Sequence, residues 1–232
     1  MNTLPGWTNT AGDHLEAYLT EAQTLLSQLP PGEIWRIVGA LLEAQTNGRR
    51  IYVLGNGGSA STASHLACDL AKSTIVSGHS RLSALALTDN MAVLTAWGND
   101  SSYKRVFAEQ LLNLLEPGDV VIAISASGNS PNVLAAVDTA RMAGAHTVAL
   151  TGFGGGAVQR MADMCVVVPS YDYGLVEGVH SVLAHTLTYL LRLSIEGKRD
   201  PGTEIAKAAR AQVASAVGAM EEIFGQAKNR RP

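Results

Sequence analysis

The sequence of 232 residues predicts an α/β fold, a doubly wound five-stranded parallel sheet flanked by helices. Three observations predict it. The apolar pattern switches regularly between a period near 3.6 and runs of strand length. Those runs are short and nearly continuous in apolar residues, as strands covered on both faces are. Two turns rich in glycine and serine each join the end of such a run to the start of a helical stretch, the connection parallel strands need.

Two helices come first. One runs from Asp13 to Leu29 and is stopped by Pro30 and Pro31; the other runs from Glu33 to Thr46 and stops at Asn47-Gly48. The second carries Ile34, Ile37, Val38, Leu41 and Leu42 on one face, so the pair is expected to cover a sheet face or a neighbouring subunit. The strands are expected at Ile51 to Leu54, Leu82 to Leu87, Val120 to Ser125, Thr147 to Leu150 and Cys165 to Val168. Helices at Ser59 to Lys72, Tyr103 to Leu115, Pro131 to Ala143 and Ala157 to Ala162 supply the crossovers. A long helix from Leu175 to Glu196 follows, and Arg199-Asp200-Pro201-Gly202 reads as a break. Beyond it Ile205, Ala209, Val213, Val217, Met220 and Phe224 recur at steps of three or four, the mark of a docked amphipathic helix. The chain therefore divides into N-terminal helices over 1–48, the α/β domain over 49–198, and a linker with a C-terminal helix over 199–232.

Composition removes several classes. With 47% hydrophobic and 16% charged residues, and 23 glycines against 8 prolines, the chain is neither disordered, nor a coiled coil, nor collagen-like. A net charge of −3 gives no basic footprint for nucleic acid or an anionic membrane. The most apolar stretch, Val182 to Ile195, is interrupted by His185 and Arg192 and is too short to span a bilayer. Met1 to Gln28 holds Asp13, Glu16 and Glu21 and neither Lys nor Arg, unlike a signal peptide. Two cysteines, Cys68 and Cys165, are too few for a disulfide framework, and a reducing cytoplasm is the expected location.

The chemistry concentrates in the two turns. Gly55-Asn56-Gly57-Gly58-Ser59-Ala60-Ser61 leaves the first strand and opens a helix, and Ser125-Ala126-Ser127-Gly128-Asn129-Ser130 does the same after the third. Backbone N–H groups at a helix start, bared by glycines and joined by hydroxyls, suit a phosphate. The first turn alone reads equally well as a capped strand-to-helix turn. It also meets a loose dinucleotide pattern through Gly55, Gly57 and Ala60, but Ile75 to His79 lacks the acidic residue that would hold a ribose. Two such turns at strand carboxyl ends could share one anion.

Beyond the first turn, His65 and Asp69 are four apart and project from one helix face, a pair able to chelate a divalent metal but more often a surface contact. The last long helix adds Glu177, His180 and His185, polar groups in an apolar helix that need partners. Glu177 and His185, eight apart, are separated by about 12 Å along a regular helix. They reach one ion only by leaning together, and core histidines are the simpler reading of that helix alone.

Together, the two serine turns, His65, Asn99-Asp100 and Glu177 to His185 resemble the sugar isomerase (SIS) domain, and most closely its phosphoheptose isomerase branch, which converts sedoheptulose 7-phosphate into a heptose 7-phosphate. The resemblance covers Asp13 to Ile195. It implies sugar contacts at Asn56, Gly57, Gly58, Asn99 and Asp100, with Ser59 assisting, and a phosphate held by Ser125, Ala126, Ser127 and Ser130. It also implies a site for zinc or another divalent transition metal at His65, Asp69, Glu177 and His185, with Glu177 touching the sugar too, and a homotetramer with sites between subunits. Two positions depart from the family pattern. Asp69 stands for glutamate, which retracts the carboxylate by about 1.5 Å. Glu177 stands for glutamine, a negative charge that favours a cation and opposes a developing enediolate.

The reading that follows is an aldose-ketose isomerase in which Asp69 moves the carbon-bound proton and His185 serves the oxygen side. Two alternatives stay open: a noncatalytic SIS protein resembling replication initiator-associating proteins, which lack the last histidine, and an isomerase of a different sugar phosphate.

Overall fold

The computed structural model describes residues 10–228, and of residues 10–12, 213 and 216–228 the backbone alone. Strands β1 (Arg50–Gly55), β2 (Ser83–Ala86), β3 (Val120–Ser125), β4 (His146–Thr151) and β5 (Met164–Val167) form one sheet in the order β2-β1-β3-β4-β5. Every pairing is parallel. The winding direction reverses between β1 and β3, and in such sheets ligands bind outside the strand carboxyl ends at that reversal. Gly55 ends β1 and Ser125 ends β3, so the two serine turns leave neighbouring strands at the switch point.

Alternation along the strands builds two cores. Ile51 and Val53 face one, with helices α2 (Pro31–Thr46), α3 (Gly58–Lys72) and α8 (Tyr173–Ile195). Tyr52 and Leu54 face the other, with α5 (Ala108–Leu114), α6 (Pro131–Met142) and α7 (Val158–Met161). The expected face of α2 is the one used: Ile34, Ile37, Val38 and Leu41 are buried, while Leu42 is half-buried. Its Glu33 also accepts a hydrogen bond from the Cys165 N–H at 2.9 Å, which ties α2 to the edge strand β5. Helix α1 (Thr10–Ser27) lies along α8 and leaves Leu15, Tyr18 and Leu19 exposed. Both cysteines are free, and among the described residues no helix is long and apolar enough to cross a membrane.

Three expectations need correction. A helix α4 spans Met91–Asp100, where none is expected; it buries no residue, so its apolar spacing is weak, but Asn90 caps it by accepting from the Val93 N–H. The single helix expected from Tyr103 to Leu115 is a 3-10 turn at Tyr103–Arg105 followed by α5. Val106, Phe107 and Ala108 are all buried, and three successive residues sweep about 200° of a regular helix, more than one buried face spans. The break expected at Arg199 to Gly202 is present between α8 and α9 but lies over residues 196–200, and Pro201-Gly202 already starts α9 (Pro201–Lys228), because Asp200 caps that helix by accepting from the Thr203 N–H at 2.8 Å. Helix α9 lies on α2, so the tail is docked. Of its expected apolar face, the side chains of Val213, Val217, Met220 and Phe224 lie outside the described residues.

Candidate active site

The first turn depends on glycine for space and for backbone angle. A Cβ on Gly55 would stand 2.8 Å from the Ser59 backbone and 2.9 Å from the Ile124 carbonyl, so β1, β3 and the start of α3 converge there. Gly57 adopts φ +56°, ψ −124°, a conformation outside the regions open to other residues. A Cβ on Gly58 would collide with the Glu177 carboxylate, which α8 lays against the first residue of α3. That helix end carries partial positive charge, so the carboxylate sits in a favourable field.

The second turn is braced from behind. Gly128, at φ +62°, packs on Gly155 and Gly156, and its carbonyl accepts from the Val158 N–H at 3.0 Å. Asn129 donates to the Ser127 carbonyl at 3.0 Å and accepts from the Ala157 N–H at 2.9 Å, while the Ala126 carbonyl accepts from the Gly152 N–H. Ser125 Oγ and Ser130 Oγ stand 3.4 Å apart. Ser130, the N-cap of α6, makes no side-chain bond to that helix; because Pro131 has no N–H and the Val133 N–H is taken by Asn132 Oδ1, the Ser130 hydroxyl and the Asn132 N–H are the groups left to an anion there.

The two turns are joined. Asn56 and Asn132 exchange amide hydrogen bonds of 2.9 Å each, and the Tyr103 hydroxyl donates to Asn56 at 3.0 Å. Asn99 donates to Asp100 at 2.7 Å; both are exposed at the end of α4, just before Tyr103.

Helices α3 and α8 bring three expected groups together. Asp69 Oδ2 lies 3.4 Å from His65 Nε2 and 3.1 Å from His185 Nδ1. The two imidazoles meet edge to face with centroids 4.8 Å apart. They border a cavity of about 280 Å³ lined also by Ser61, Thr62, Ser181 and Ala184. His185 is exposed, contrary to what its apolar helix suggests. A ligand atom from each of His65, Asp69 and His185 lies within 4.8 Å of the others. Ligands about 2.1 Å from a tetrahedral ion are roughly 3.4 Å from one another, so this donor set fits a divalent metal of the zinc type. Glu177 is not in the group.

His180 does not join the site. It is wholly buried, its Nε2 lies 3.1 Å from the Thr151 carbonyl, and burial pushes its pKa down to about 4. The ring is therefore neutral and donates from Nε2; among the described residues Nδ1 has no hydrogen-bond partner. Asn132 and Tyr103 are polar groups of the site that sequence reading missed. The one signal for Asn132 was its place directly after Ser130-Pro131.

A family model described as the SIS domain matches residues 17–152. A phosphoheptose isomerase of Akkermansia muciniphila is 37% identical over 166 residues, covering 72% of this chain and 87% of that protein. One from Roseiflexus is 37% identical over 184 residues, covering 79% and 92%. The structure of the phosphoheptose isomerase from Neisseria gonorrhoeae superposes with a TM-score of 0.71 at 32% identity, over 78% of this chain and 96% of that one. With its parallel sheet, its paired serine turns and sequence likeness over nearly the whole of these relatives, the chain belongs to the SIS domain family, in the phosphoheptose isomerase branch.

Proposed function

We propose that the protein interconverts the ketose and aldose forms of a phosphorylated sugar, sedoheptulose 7-phosphate and a heptose 7-phosphate. The observation that carries the reading is the Asp69 carboxylate held between two imidazoles, on α8 and on α3, the helix that the first turn opens. The N–H groups and hydroxyls of Ser125, Ala126, Ser127 and Ser130 take the phosphate, and this remote binding energy positions the reacting carbons. Asn56, Gly57, Gly58, Ser59, Asn99, Asp100 and Glu177 meet the sugar. Asp69 removes the proton from the carbon beside the carbonyl and returns it to the neighbouring carbon. His185 carries the proton that moves between their two oxygens. His65, Asp69 and His185 would hold a divalent cation, zinc foremost; Glu177, which lies outside that group against Gly58, stands where the family pattern has its fourth ligand. When bound, that cation supplies Lewis-acid polarisation of the carbonyl.

The proposal includes a homotetramer in the cytoplasm. Leu15 and Leu19 of α1 and Tyr189 of α8, each about 60% exposed, are the kind of apolar surface that subunit contacts cover. The shortened acid at Asp69 and the added charge at Glu177 favour one second reading, an isomerase of another sugar phosphate.

The test uses the metal-loaded protein in D2O with sugar phosphates from pentoses to octoses, following exchange at the carbon beside the carbonyl. Conversion of sedoheptulose 7-phosphate establishes the first reading. Exchange confined to a different sugar establishes the second. No exchange with any of them leaves a binding role.

A further inference from the structure

Asn132, at the second position of α6, is 2% exposed, and its side chain has no part in the chemistry above. Its amide and that of Asn56 are bonded reciprocally, 2.9 Å each way. Such a pair is unchanged when both amides are turned over together, so the pair alone leaves its polarity open. Val133 breaks the symmetry. Its backbone N–H can only donate, and it does so to Asn132 Oδ1 at 3.0 Å, which identifies that atom as the oxygen. The Asn56 atom facing it is then the nitrogen. The other Asn56 atom is the oxygen, where it accepts from both Asn132 Nδ2 and the Tyr103 hydroxyl.

Asn56 Oδ1 thereby accepts two hydrogen bonds, its full capacity, while Nδ2 has used one of two hydrogens. We infer that Asn132 is a positioning residue that turns Asn56 into a donor toward the crevice, with one N–H free for a ligand and no lone pair. The group so recognised is an acceptor oxygen of the substrate, on the phosphate or at the carbonyl end; a hydroxyl that must donate finds no partner there. The inference rests on the sugar-phosphate reading, and it assigns the Asn132 side chain a role through Asn56 alone.

The experiment compares Asn132→Ala, Asn56→Ala and the double variant, measuring kcat and KM for the sugar phosphate that is converted and calorimetric Kd for inorganic phosphate. Asn132→Ala is expected to lower kcat/KM about tenfold, the worth of a hydrogen bond to a charged acceptor, and to cost nothing further in the Asn56→Ala background. A matching rise in the phosphate Kd puts the acceptor on the phosphate; an unchanged Kd with lowered kcat puts it at the sugar's carbonyl end. Losses that multiply in the double variant overturn the inference. Should Asn132→Ala fold poorly, Tyr103→Phe, at an exposed position, gives the same test: its loss, about threefold, must vanish in the Asn56→Ala background. A wild-type protein that converts no sugar phosphate, yet shows the non-additive cycle in phosphate binding, sinks the isomerase reading and supports this one. An active wild type with additive variants does the reverse.

Discussion

Asp69 and His185 meet across the packing of α3 on α8, with Oδ2 3.1 Å from Nδ1, and His65 closes on the same oxygen from one turn earlier at 3.4 Å. Two residues 116 apart in sequence thus set a carboxylate against an imidazole, and His185 borders the cavity that His65 also lines. The carboxylate is the more enclosed partner, with 20% of its side chain accessible against 62% for His185 and 57% for His65.

Asp69→Asn keeps the shape of the side chain and removes its capacity to take a proton. We expect kcat to fall by about 10² to 10⁴, the usual worth of a positioned general base, with deuterium exchange falling in parallel. Retention of full exchange would take the base role from Asp69.

Metal binding is checked separately from turnover. Because His65 is exposed, His65→Ala should fold normally by circular dichroism, yet elemental analysis should find well under one equivalent of the metal that the wild type retains. Equal metal content in both proteins means that the ligands lie elsewhere.

Gly128 and Gly48 both have positive φ, +62° and +65°, but only Gly128 is crowded, by Gly155 and Gly156, while a Cβ on Gly48 meets nothing within 4 Å. Gly48→Ala should therefore cost only backbone strain, about 1 kcal/mol. Gly128→Ala should cost about 2 kcal/mol more, in the range of an overpacked site, and weaken phosphate binding as well. Urea unfolding of the two variants separates strain from packing, and equal losses would show that the second turn does not depend on its glycine neighbours.

His180 makes stability depend on pH. Burial lowers its pKa to about 4 in the folded protein, against 6.5 unfolded, so between these values the unfolded chain binds the extra proton. The contribution is complete above pH 6.5 and is lost as pH falls toward 4, to a total of about 3 kcal/mol. The urea midpoint should fall more steeply over this window in the wild type than in His180→Gln, which retains a donor for Thr151 but does not titrate. Parallel curves would remove His180 as the cause.

Much of this was legible in the sequence, and what escaped has a physical reason. The five strands, both serine turns and the His65/Asp69 pair show up because burial on two faces, glycine spacing and the four-residue helical step are local signals. The fit of His185 to that pair depends on how α8 packs on α3, which no spacing within one segment encodes. The Asn56–Asn132 pair joins two turns that are adjacent only because the sheet reverses between β1 and β3. Helix α4 was missed because it buries no residue fully and packs only Leu94 and Trp97 in part against the core, so its clearest local signal was the Asn90 cap.

Glu177, laid on Gly58, gives the two strand exits opposite characters. The β3 exit offers donors and welcomes negative charge, while at the β1 exit the protein has already installed an anion of its own. A ketose phosphorylated at both ends would bring its second phosphate up against that carboxylate, and the like charges would repel. In the proposed pose, with the phosphate at the β3 exit, a monophosphate avoids that repulsion, and its orientation in the crevice follows.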